Sequence, residues 1–108
     1  MIKAGQIEEI LALYKKHGWR LRRVLLSDEF RKKLGAERAR LFGELEIHSS
    51  AVNGLWFSRS SKPGQETWEL RRLSATPYAL LEVFDLEDEE EIREEALLEI
   101  EGRMAAHK

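Results

Sequence analysis

Residues 56–72, WFSRSSKPGQETWELRR, decide the fold, because two tryptophans and three arginines flank a Pro-Gly pair that reads as a turn. With Pro63 and Gly64 as the central turn residues, Arg59 falls opposite Trp68, Phe57 opposite Leu70 and Trp56 opposite Arg71. One face of the hairpin then carries Leu55, Phe57, Trp68 and Leu70. The other carries Trp56, Ser58, Ser60, Thr67, Glu69 and Arg71. Where a single face is buried, a one-residue slip would exchange the two sets, so this sorting selects the register. A second turn at residues 74–77, SATP, pairs Leu73 with Tyr78, Leu70 with Leu81 and Trp68 with Val83. That pairing adds Ala79, Leu81 and Val83 to the apolar face and extends the hairpin to a three-strand meander.

Helical periods flank the meander. Ile7, Ile10, Leu11 and Tyr14 follow the i, i+3, i+4, i+7 spacing of one helix face, which Gly18 ends. The run 19–27, WRLRRVLLS, has the aromatic and β-branched content of a strand. Ser27 suits the N-cap of a short helix over DEFRKKL, closed by Gly35, and AERARLF adds one or two more turns. Residues 44–54 contain turn formers without a sustained period and read as an irregular connection. At the C-terminal end, Ile92, Ala96, Ile100 and Met104 recur every four residues, with Leu97 widening the stripe. The expected architecture is α+β: an antiparallel three-strand meander joined by a fourth strand, with helices packed on one face.

The 108 residues have the length of one ordinary domain, 1–108, and their 43% hydrophobic and 35% charged content is that of a folded chain with a highly charged surface. The absence of cysteine excludes disulfides and thiolate chemistry and fits a reducing compartment, so a cytoplasmic location is expected. Glu8 and Glu9 interrupt the apolar residues of the N-terminal segment, so neither a signal peptide nor a membrane span is expected there. The net charge of -2 conceals a strong asymmetry. Residues 1–43 hold 11 Lys/Arg against 5 Asp/Glu, whereas residues 82–108 hold 3 against 11. Such a split suits two oppositely charged segments that meet within one molecule, or a basic surface for a polyanion.

Three groups are candidate sites. The first is the second sheet face, where Trp56, Arg71, Leu73, Tyr78, Leu80 and Phe84 form a surface too apolar for free exposure. Cover by the N-terminal helix or the first strand's connection, a homodimer seam and a ligand or nucleic-acid platform each account for it. The second is Glu69, Glu82 and Arg71, which the expected register brings together; paired carboxylates can share a proton or hold a cation if enclosed, and form a salt-bridge cluster if solvated. The third is a basic patch of Arg20, Arg22, Arg31, Lys32 and Lys33, supplemented by Arg23, Arg38 and Arg40, which binds phosphate only if the cations converge.

His48 beside Ser49 and Ser50 lacks the sequence context of a nucleophile elbow. No phosphate-binding glycine loop, zinc-ligand spacing or HExxH is present, so neither metal nor cofactor is expected and an enzyme is disfavoured. The leading expectation is an association module, with a second copy of the chain as its partner or else another protein. The alternatives are nucleic-acid binding through the basic half and a small-ligand or enzymatic pocket at Glu69, Glu82 and Arg71.

Overall fold

Strand β1 (Arg20–Leu26) leads into helices α2 (Asp28–Leu34) and α3 (Glu37–Phe42), and the chain returns as β2 (Ile47–Ser49), parallel to β1 with Val24 opposite Ile47. Parallel neighbours cannot be joined by a hairpin, so α2 and α3 are the crossover that this pairing requires. Ser27 caps α2 as its position predicts, its Oγ accepting from the Phe30 N–H at 3.2 Å. The computed structural model describes residues 2–107, which also form helix α1 (Ala4–Lys16), strands β3 (Gly54–Ser60), β4 (Gln65–Arg72) and β5 (Ala79–Asp85), and helix α4 (Glu90–Ala106).

The α+β class holds, but the sheet has five strands in the order β2-β1-β3-β4-β5 and is mixed, not an antiparallel meander plus one strand. The missed strand lies inside residues 44–54, where the three residues of β2 are too few to show a period. The helices are not confined to one face either. On one side Ile7, Phe30, Leu34 and Phe42 of α1 to α3 pack over Val24, Leu26, Leu55 and Phe57. On the other, Leu97, Ile100 and Met104 of α4 pack over Leu25, Trp56, Trp68, Leu70 and Phe84. Ile92, expected in the buried stripe of α4, is 55% exposed.

Cover on both sides changes the register. The Pro-Gly turn forms as expected: Gln65 N–H donates to the Lys62 carbonyl at 2.9 Å, and Gly64 takes the positive φ of 78° that the second central position of a type II turn demands. Beyond the turn, however, the ladder is displaced by one residue. Ser60 faces Glu66, Ser58 faces Trp68 and Trp56 faces Leu70. The next hairpin shifts likewise, with Leu70 opposite Leu80 and Trp68 opposite Glu82. Both expected registers assumed one buried face. With helices on both sides, the penalty that made them unique is gone, and a strand buried on both sides reads as a continuous apolar run such as LWF. Gly54 through Ser58 are all buried. A Cβ at Gly54 would stand 3.0 Å from Leu70 Cδ1 and 3.3 Å from the Arg71 carbonyl, so a side chain there would require β4 and Leu70 to give way by a few tenths of an ångström.

The shift puts Trp56 and Trp68 on the same face, with ring centroids 6.1 Å apart in an edge-to-face contact. They are 0% and 1% exposed, and each indole N–H retains an acceptor: Glu101 Oε2 at 2.9 Å for Trp56 and Glu66 Oε1 at 2.7 Å for Trp68. Trp56→Ala and Trp68→Ala are therefore expected to destabilise the fold alike, each by ~3–5 kcal/mol in urea unfolding. A small loss at Trp56 beside a large one at Trp68 would restore the expected register.

Candidate functional site

Four of the six residues of the proposed interface do come together, beneath α4. Trp56 and Phe84 are buried there, and Tyr78 and Leu80 pack partly buried against the same cluster. Phe84 meets Trp68 edge-on at 6.3 Å, while Tyr78 stacks on His107 at 3.9 Å and so ties down the end of α4. Cover thus comes from the C-terminal helix, not the N-terminal one. The other two residues lie elsewhere: Leu73 is buried in the cluster under α1 to α3, and Arg71 pairs with Leu55 on that same side of the sheet.

Glu69, Glu82 and Arg71 are also divided by the register. Glu69 and Arg71, two residues apart on β4, share the α1 side, whereas Glu82 pairs with Trp68 on the α4 side. The new partner of Glu69 is Tyr14 of α1, whose hydroxyl donates to Glu69 Oε2. Tyr14 also stacks on Phe57 at 4.0 Å. Burial raises its phenol well above the ordinary value of 10.0, and the hydrogen bond and negative charge of Glu69 add to that against the opposing charge of Arg71. Beside this pair is an open cavity of about 410 Å³ lined by Leu13, Tyr14, His17, Trp19, Arg59 and Glu69. Arg59 already stacks over the Trp19 ring at 4.4 Å and donates to the His17 carbonyl at 3.1 Å, closing the end of α1. The aromatic wall and its cation are therefore engaged with each other.

The basic residues form two groups. The register of β1 against β3 shifts between Leu21 and Arg23, leaving Arg22 as the extra residue, and the guanidiniums of Arg22 and Arg23 both lie over Trp68, at 4.5 and 5.9 Å, with Arg93 of α4 at 5.6 Å. Arg22 donates to Ser58 Oγ at 3.0 Å and lies 3.6 Å from Glu66; burial lowers its pKa, and Glu66 opposes that shift. Arg23 grips Glu94 of α4 with both terminal nitrogens, one at 2.8 Å, and this bond holds the Glu94 carboxyl below the ordinary carboxylate range. Here the basic and acidic halves of the chain meet. Arg20 is exposed at the start of the strand.

The second group, Arg31, Lys32 and Lys33, is on α2, at the far end of β1 from Arg20, a separation of roughly 20 Å at ~3.3 Å per strand residue. Lys33 pairs with Glu29 at 3.7 Å, and Arg40 of α3 with Glu37 and Glu8. Arg31, Lys32 and Arg38 line an open cavity of about 390 Å³ that Asp28 also enters. The five residues of the sequence-based patch do not converge on one surface. Among the described residues, no three His, Cys, Asp or Glu side chains gather to hold a metal ion, and no helix is long and apolar enough to cross a membrane.

One outer surface differs from the expected one, and for the same reason as the register. Leu81 and Val83, expected in the core, are 58% and 51% exposed, while Leu80 and Phe84 take their place against α4. They stand on the α1 side of β5, where Leu81 pairs with Glu69 and Val83 with Thr67, at the outer edge of the sheet. The alternation of Leu80, Leu81, Glu82, Val83 and Phe84 leaves an apolar residue facing outward in either register, which was the available signal. No family model, curated protein or solved structure matches this chain.

The Tyr14 to Glu69 bond makes a pH-dependent prediction. Because the folded phenol titrates higher than the unfolded one, its contribution to stability is complete below about pH 10 and declines as pH rises beyond it, where only the unfolded state loses the proton. Tyr14→Phe should lower stability by ~1 kcal/mol at neutral pH and flatten this part of the alkaline decline in unfolding experiments. An unchanged alkaline slope would mean that the hydroxyl is solvated.

Proposed function

We propose that this chain acts by association with a second copy of itself, through the outer edge of its sheet at β5. The observation that carries the reading is the exposure of Leu81 and Val83 on an edge strand of seven residues. The two edges of the sheet differ. β2 is a three-residue strand, and a short edge offers little to pair with; β5 is long, contains no Pro and has one charge within it, Glu82, and a second, Asp85, at its end. Its apolar residues on the α1 side, Ala79, Leu81 and Val83, form a row suited to meeting an identical row, as a two-fold interface requires. This surface replaces the Trp56 face of the sequence-based expectation, which α4 occupies.

Association also agrees better than the alternatives with the placement of the charges. Nucleic-acid binding would draw on cations that lie in two separate groups, one engaged with Trp68 and Glu94. A carboxylate site would need Glu69 and Glu82 on one side of the sheet.

Light scattering on a size-exclusion column tests the reading. A dimer that forms at tens of micromolar and persists in high salt is expected, since the contact is apolar. Leu81→Glu should weaken it by ~2 kcal/mol or more while changing the stability of the monomer by no more than about 0.5 kcal/mol. A wild-type chain that remains monomeric at hundreds of micromolar would refute self-association.

A further inference from the structure

We infer that the two copies join β5 to β5 antiparallel, with Leu81 opposite Leu81 and Ala79 opposite Val83, so that two five-stranded sheets become one of ten strands. This rests on the self-association proposed above and adds the pairing register. Hydrogen-bond parity limits the choices first. Arg72 N–H donates to the Tyr78 carbonyl and Leu86 N–H to the Gly64 carbonyl, both at 2.9 Å. Along an antiparallel ladder the bonded direction alternates, so residues 78, 80, 82, 84 and 86 direct their backbone groups toward β4. Ala79, Leu81, Val83 and Asp85 direct theirs outward. Only registers that set these odd-numbered residues opposite one another can form a ladder.

Side chains then separate the remaining two-fold registers. Centring on Glu82 sets the two Glu82 carboxylates opposite each other in the close, non-hydrogen-bonded class of pair, ~4.5 Å between Cα atoms, which like charges disfavour. Centring on Val83 places Asp85 against Leu81. Centring on Leu80 brings Pro77 opposite Val83, where Pro lacks the N–H that the Val83 carbonyl needs. Centring on Leu81 avoids the first two and moves Pro77 opposite Asp85, outside the central pairs. Residues 79, 81 and 83 then form three reciprocally bonded pairs, Glu82 faces Leu80 rather than itself, and the exposed apolar rows of both copies adjoin on the α1 side.

The cysteine-free chain allows a direct test, because single cysteines can be introduced at Leu80, Leu81 and Glu82 without background. A hydrogen-bonded pair sets its Cα atoms ~5.5 Å apart, within the ~4.4–6.8 Å that a disulfide spans. Under mild oxidation Leu81→Cys should convert mostly to a disulfide-linked dimer, while Leu80→Cys and Glu82→Cys each react slowly alone and combine with each other when mixed. Faster linkage of Glu82→Cys or Leu80→Cys alone would overturn this register. If light scattering gives a wild-type dimer and none of the three cysteines links, edge pairing fails while self-association survives through another surface. If the wild type is a monomer, both proposals fall.

Discussion

Trp56 and Trp68 are buried together beneath α4, and their shared burial governs how the surrounding strands pair. Two indoles on one face of neighbouring strands restrict the β3–β4 ladder to one parity, the one in which Ser58 faces Trp68 and Trp56 faces Leu70. The same ladder directs Leu55 and Phe57 to the opposite face, where α1, α2 and α3 cover them. Continued to β5, it turns Leu80 and Phe84 inward and leaves Leu81 and Val83 outside. The apolar row at the sheet edge is thus a consequence of how the core is built.

Electrostatics support this packing without dominating it. Three guanidiniums surround the Trp68 ring, and Arg23 is bonded to Glu94, so the basic strand β1 and the acidic helix α4 clamp the indole between them. These groups are partly exposed, and salt screens such contacts more readily than it weakens apolar burial. The charge asymmetry of the chain accordingly finds an internal use here, while Arg31 and Lys32 on α2 keep to the opposite end of β1.

Much of the fold is legible in the sequence because it depends on local signals. The spacing of Ile7, Ile10, Leu11 and Tyr14, the Ser27 cap and the Pro63-Gly64 turn each act within a few residues, and each is found where expected. What escaped depends on contacts between distant segments. The return of the α2–α3 crossover as Ile47–Ser49 is visible only through its pairing with Val24, and the register could not be settled without knowing that α4 covers the second face. The candidate sites failed to assemble for that same reason. Glu69 and Glu82 were neighbours only in a ladder displaced by one residue, and Tyr14, which bonds Glu69, lies 55 positions away in the chain.

Burial on both faces of the central strands leaves the outward backbone of β5 as the place where we propose that two copies associate. Amide-resolved hydrogen exchange, followed from low to high protein concentration, tests it most directly. The amides of Ala79, Leu81 and Val83 should exchange quickly in dilute solution and slow markedly as concentration rises, while Leu80, Glu82 and Phe84, already bonded toward β4, are protected throughout. Exchange along β5 that does not depend on concentration, or protection that ignores this alternation, would rule out pairing through this edge.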